Sequence, residues 1–88
     1  MEYVITFKNT NFAIKAEKCL LEKKLHVSVM PLPSQIGAGC GICLRLCQGE
    51  IKLALEVLGG RNIDGIGLFS RVNKNGLYSY EDLGGVLK

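Results

Sequence analysis

Four cysteines and eleven glycines stand in this 88-residue sequence, and they are densest together in Pro31-Leu-Pro-Ser-Gln-Ile-Gly-Ala-Gly-Cys-Gly-Ile-Cys-Leu-Arg-Leu-Cys47. Pro31 and Pro33 fix the backbone on entry. Gly37, Gly39 and Gly41 then admit main-chain conformations closed to other residues, just where Cys40 is presented. A thiol reacts as its thiolate. Successive backbone N–H groups of Gly37-Ala38-Gly39 that converge on the sulfur would lower its pKa much as a cation does. Cys40 is thus the candidate reactive thiol, with Gly37, Gly39 and Gly41 as its cradle and Cys43 and Arg45 as candidate binding neighbours. The plainer reading, a small residue packed under a sheet, stays open for Cys40. Arg45 is expected to be solvated, because its strand parity is opposite to that of Cys40.

Cys40-x-x-Cys43 also has the spacing of a thiol redox pair, and Cys40, Cys43 and Cys47 together have the look of three iron–sulfur ligands. The secondary structure of residues 40–47 decides between these readings. Ile42, Leu44 and Leu46 share one parity and Cys43, Arg45 and Cys47 the other, which predicts a strand with the first set facing the helices. On a strand Cys40 and Cys43 lie about 10 Å apart and on opposite faces, beyond the roughly 7 Å a disulfide spans. A helical segment would bring them one turn apart and revive the redox reading. Gly49 argues against a helix continuing through to Leu58, and Cys43 and Cys47 are expected as exposed or half-buried strand thiols. No metal site or cofactor is expected.

These residues need a scaffold. Tyr3, Ile5 and Phe7 alternate with Val4, Thr6 and Lys8, predicting a strand over roughly residues 2–8. Asn9-Thr10-Asn11 supplies N-cap chemistry for a helix to about Lys24, on which Phe12, Ala13, Ala16, Cys19, Leu20 and Lys23 recur at helical spacing. Cys19 is therefore expected in the core. Val27, Val29 and Leu32 mark a short strand that stops at Pro31 to Pro33. His26, the only histidine, enters that strand with no acid near it in sequence, and is expected to be structural or exposed. Ile51, Ala54, Leu55 and Leu58 predict a second helix ending at Gly59-Gly60. Ile66 to Val72 predicts a strand, and Asn75-Gly76 a hairpin returning through Leu77 to Tyr80, while Glu81-Asp82 reads as a solvated end. The order β-α-β-β-α-β with an added hairpin predicts an α+β, ferredoxin-like sandwich: an antiparallel sheet with two helices on one face and a short C-terminal hairpin.

Composition narrows the function classes. The length fits a single domain over 1–88, and 48% hydrophobic against 22% charged residues is an ordinary globular balance. A net charge of +3, with no basic run longer than Lys23-Lys24, gives no footprint for nucleic acid. A single-strand binder of this fold would also need stacking aromatics where the third strand offers Ile42, Leu44 and Leu46 or Cys43, Arg45 and Cys47. From Val27 to Leu44 no residue is charged, yet two prolines and three glycines would strand backbone groups in lipid, so no membrane span is expected. The start carries no secretory pattern, and a cytoplasmic location, where thiols stay free, is expected. No Ser/His/acid set, paired carboxylates or phosphate loop is present; Gly59-Gly60-Arg61 follows a helix instead of opening one.

The succession of strand, helix, Val-Ser-Val-Met-Pro-Leu-Pro-Ser, small-residue loop, Cys40-Gly41-Ile-Cys-Leu44-Arg45 and amphipathic helix resembles the small bacterial family of selenium/sulfur carrier-like domains. The similarity spans about residues 2–72 and is anchored on Pro31, Pro33, Cys40, Gly41, Leu44 and Arg45. The chain departs from the family pattern at Ser34, where an arginine is usual, and Cys43 and Cys47 are additions. The resemblance implies a persulfide or selenopersulfide held on Cys40. It implies a donor such as a cysteine desulfurase, an acceptor protein, and a carrier more than a stand-alone enzyme. A homodimer is also expected as a possible state. Two rival classes stand beside it: a non-enzymatic ligand-binding or protein-interaction module, and a thiol redox protein using Cys40 and Cys43.

Overall fold

A computed structural model describes residues 1–37, 41–60, 63 and 66–84. Among these described residues five strands and two helices follow in the order β1 (Glu2–Thr6), α1 (Thr10–Glu22), β2 (Val27–Pro31), β3 (Ile42–Cys47), α2 (Ile51–Gly59), β4 (Gly67–Lys74) and β5 (Leu77–Asp82). The protein is α+β. All strands join one antiparallel sheet in the order β2-β3-β1-β4-β5.

Local chemistry explains most boundaries. The Asn9 side chain accepts from the Phe12 N–H and starts α1. Its end is less obvious, because Lys24, not a glycine, takes the left-handed conformation at φ 61. The Leu25 N–H then reaches the Leu20 carbonyl and the Lys24 N–H the Leu21 carbonyl, the paired bonds of a Schellman motif, with Leu25 buried behind them. α2 stops at Gly59 as expected, but its cap residue Gly60 stays right-handed at φ -76. Asn75 and Gly76 both have positive φ, 54 and 84, the signature of the two-residue hairpin turn whose twist matches its strands. β5 extends through Glu81 and Asp82, which are exposed as expected, and pairs with β4 along its length.

One core lies between the helices and one face of the sheet. Ile5, Leu44, Leu46 and Leu68 from the sheet meet Ala13, Ala16 and Leu20 of α1 and Ala54 and Leu58 of α2. By strand alternation Val4, Cys43, Arg45, Cys47, Phe69 and Arg71 occupy the opposite face.

Candidate functional site

β2 and β3 form a hairpin, and its connection carries the residues singled out above. The Leu32 N–H donates to the Gly41 carbonyl at 3.0 Å, extending the Pro31 to Ile42 register by one pair. Inside that closure the Pro33 carbonyl accepts from the Ile36 N–H at 3.0 Å and the Gly37 N–H at 3.4 Å, a single turn ended by Gly37 at φ +72. Gly41 sits at φ +93 with nothing within 4 Å of where a Cβ would stand, so glycine is required there by conformation and not by space. The Gly37 N–H, expected in the cradle, donates within the loop's own turn. Ala38, Gly39 and Cys40 lie outside the described residues.

β3 runs from Ile42 to Cys47, and Leu44 and Leu46 face the helices as their parity requires. Cys43 departs from expectation. It has no exposed surface, although it lies on the sheet face away from the helices, between Met30 on β2 and Thr6 on β1. Its sulfur stands 3.8 Å from the Pro31 carbonyl, a weak S–H donor geometry. Cys47, on the same parity, is exposed.

Arg45 is not simply solvated. Its Nε lies 3.6 Å from Glu2 Oε2 and its second guanidinium nitrogen 3.5 Å from Ser28 Oγ, with the side chain 38% exposed. Glu2 also pairs with Arg71, whose Nε donates to Tyr80 Oη at 3.2 Å and whose guanidinium lies 3.6 Å over the Tyr78 ring. Burial alone would pull the Arg71 pKa down. The bonds to Tyr80 and Glu2, together with the charge interactions with Tyr80 and Tyr78, outweigh it, so the net shift is upward. The outer face therefore carries a row of Cys47, Glu2, Arg71 and Tyr80 across four strands.

Cys19 is buried in α1 as expected. His26 has a partner that local sequence did not show. The Glu50 carboxylate accepts the His26 backbone N–H at 2.9 Å and meets the ring Nδ1 at 3.1 Å. Glu50 makes no side-chain cap to its own helix, so it ties the start of β2 to the start of α2 instead. The side-chain and backbone hydrogen bonds to His26 hold the Glu50 pKa below its ordinary value. Twenty-four residues separate the pair, and no spacing motif marks it. Among the described residues no group of three or more His, Cys, Asp or Glu is placed to hold a metal ion. Nor is any helix there long and apolar enough to cross a membrane.

A family model described as "Putative Se/S carrier protein-like" matches residues 2–70. The chain belongs to this Se/S carrier-like family. No curated protein and no solved structure matches it. The matched span takes in the β2–β3 hairpin, its loop and both helices, and stops within β4, so β5 lies beyond it.

Proposed function

We propose that this protein carries sulfane sulfur, or selenium in its place, on Cys40, in the cytoplasm, on a ferredoxin-like split βαβ scaffold to which β5 is appended. Membership of the Se/S carrier-like family is the observation that carries the reading. The thiol inventory supports it. Cys19 and Cys43 are buried and present no sulfur to a protein donor, which narrows the candidates to Cys40 and the exposed Cys47. Cys40 is preferred because it belongs to the anchored run Cys40-Gly41-x-x-Leu44-Arg45, between Gly37 and Gly41 in their left-handed conformations.

The chemistry asks little of the protein. The Cys40 thiolate attacks the terminal sulfur of a donor persulfide, the donor's S–S bond breaks, and the donor leaves as a thiolate while a new S–S bond forms on Cys40. An acceptor nucleophile repeats the exchange in the other direction. Neither step needs an oxidant, a metal or a general base, provided Cys40 is ionised.

The test is intact mass after incubation with a cysteine desulfurase and cysteine. Loading adds about 32 Da, the mass of one sulfur atom, and a reductant removes it. Cys40→Ser abolishes the adduct, whereas Cys43→Ser and Cys47→Ser keep most of it. A wild-type chain that stays unmodified with a competent donor, or that loads equally well without Cys40, defeats the reading and leaves the interaction-module class in its place.

A further inference from the structure

We infer that Cys47, His26 and Glu50 form a second reactive-thiol site, at the opposite end of β3 from the β2–β3 loop, which takes one half of a small-molecule disulfide onto Cys47.

Strand register brings the three together. Ser28 and Arg45 are partners in the β2–β3 ladder and meet on the outer face, a guanidinium nitrogen standing 3.5 Å from Ser28 Oγ. Cys47 lies two residues beyond Arg45 and His26 two residues before Ser28, so alternation keeps both on that face and across from each other. Cross-strand partners of this kind hold their Cβ atoms about 5 Å apart. Leu32 and Gly41 are a hydrogen-bonded pair, and in an antiparallel ladder every second pair is, which puts His26 and Cys47 in the same phase. Glu50 is inserted into that last pair. Its backbone N–H donates to the Cys47 carbonyl at 3.1 Å, and its carboxylate accepts the His26 backbone N–H at 2.9 Å.

Each group has its chemistry set by a neighbour. The Glu50 carboxylate only accepts, so in a neutral His26 the ring Nδ1 at 3.1 Å carries the proton and Nε2 keeps its lone pair. The imidazole and the sulfur are both exposed, and rotation about their side-chain bonds brings Nε2 to the thiol. Glu2 flanks Cys47 from β1, but its carboxylate is engaged by Arg45 and Arg71, which leaves the imidazole as the base.

An exposed thiol facing an imidazole that a carboxylate orients is the arrangement that generates a nucleophilic cysteine. The site lies open on the sheet face, and exchange with a disulfide asks only for a thiolate and access to it, with no enclosed pocket. Nε2 takes the Cys47 proton. The thiolate attacks one sulfur of the disulfide, whose S–S bond breaks as a new one forms on Cys47, and the departing thiolate takes the proton from the imidazolium. Cys47 is oxidised and the departing half is reduced, so the disulfide is the only co-reactant. This inference does not depend on the carrier reading.

Timed incubation of the full chain with oxidised glutathione, followed by peptide mass mapping, tests it, because the adduct on Cys47 is read separately from any on Cys40. An ordinary thiol with a pKa of about 8.5 is roughly 3% ionised at neutral pH, so a base raises its rate there by at most about thirtyfold. Cys47 of the folded chain should react about tenfold faster at neutral pH than the same cysteine in a peptide of residues 42–49. His26→Asn should remove most of that gain at neutral pH and change little near about pH 10, where a thiol ionises unaided. Glu50→Gln presents an amide nitrogen to one of the two His26 donors. As Glu50 is a positioning residue acting through the ring, that change should slow the reaction severalfold in the wild-type background and not at all beside His26→Asn. Circular dichroism checks that each variant is folded, and the comparison with the peptide stands whether or not one is. A wild-type Cys47 no faster than the peptide, equal losses at neutral and high pH, or additive losses in the double variant would overturn the proposal.

Discussion

Cys43 should react with a small alkylating reagent at least about a thousandfold more slowly than Cys47, although both belong to β3 and share one face of the sheet. Cys43 has no exposed surface, so a reagent reaches it only after the sheet opens. A chain of 88 residues has a stability of roughly 4 to 13 kcal/mol at about 0.05 to 0.15 kcal/mol per residue. At about 1.4 kcal/mol per factor of ten, the low end corresponds to a retardation near a thousandfold. The low end sets the floor, because uncovering Cys43 requires β3 to part from its neighbours, and that disrupts the core in which Leu44 packs with Ile5. Timed alkylation at neutral pH, with the modified peptides resolved by mass, measures both rates on one sample. A core substitution supplies the perturbation. Ile5 is fully buried, and Ile5→Val should cost about 0.5 to 1.5 kcal/mol. If Cys43 labels through opening, its rate should rise roughly two- to tenfold in that variant while the rate at Cys47 stays unchanged. Labelling of wild-type Cys43 within tenfold of Cys47 would refute the reasoning. It would also restore Cys43 as a plausible redox partner of Cys40.

Arg71→Ala should lower stability by about 2 kcal/mol, because it removes charge-assisted bonds to Glu2 and Tyr80 and the stack on Tyr78 from a largely buried site. Denaturant melts should show Arg45→Ala, half-exposed beside the same Glu2, costing less than about 1 kcal/mol; equal costs would contradict this ranking. The lowered Glu50 pKa means that its contribution is present above the ordinary value of 4.5 and is lost as pH falls through the lower folded-state value. Glu50→Gln should therefore flatten the acid side of the thermal stability profile, and a variant with an unchanged acid limb would show that the His26 contact has no part in it.

Helix and strand placement was legible because period governs burial. Ile42, Leu44 and Leu46 could face the helices only from a strand, and Ile51, Ala54, Leu55 and Leu58 could share a face only on a helix. The Asn75-Gly76 turn was equally plain, since both positions need positive φ. The end of α1 was blurred by a residue or two, because Lys24 takes a conformation that glycine usually announces. The family anchors and the candidate thiol were local too, running from Pro31 to Arg45.

What the sequence could not order was everything set by strand neighbours. Cys43 and Cys47 have the same parity and the same residue type, yet one is enclosed between Met30 and Thr6 while the other is open, because the register of β1 and β2 against β3 determines what stands beside each sulfur. Glu2 lies next to Arg71 only because β4 pairs with β1, and Glu50 meets His26 only because the sheet and α2 bring two distant starts together. The single-chain pattern fixes which face a side chain takes. Its company on that face comes from strand order and register, which are long-range choices made by the packed core as a whole.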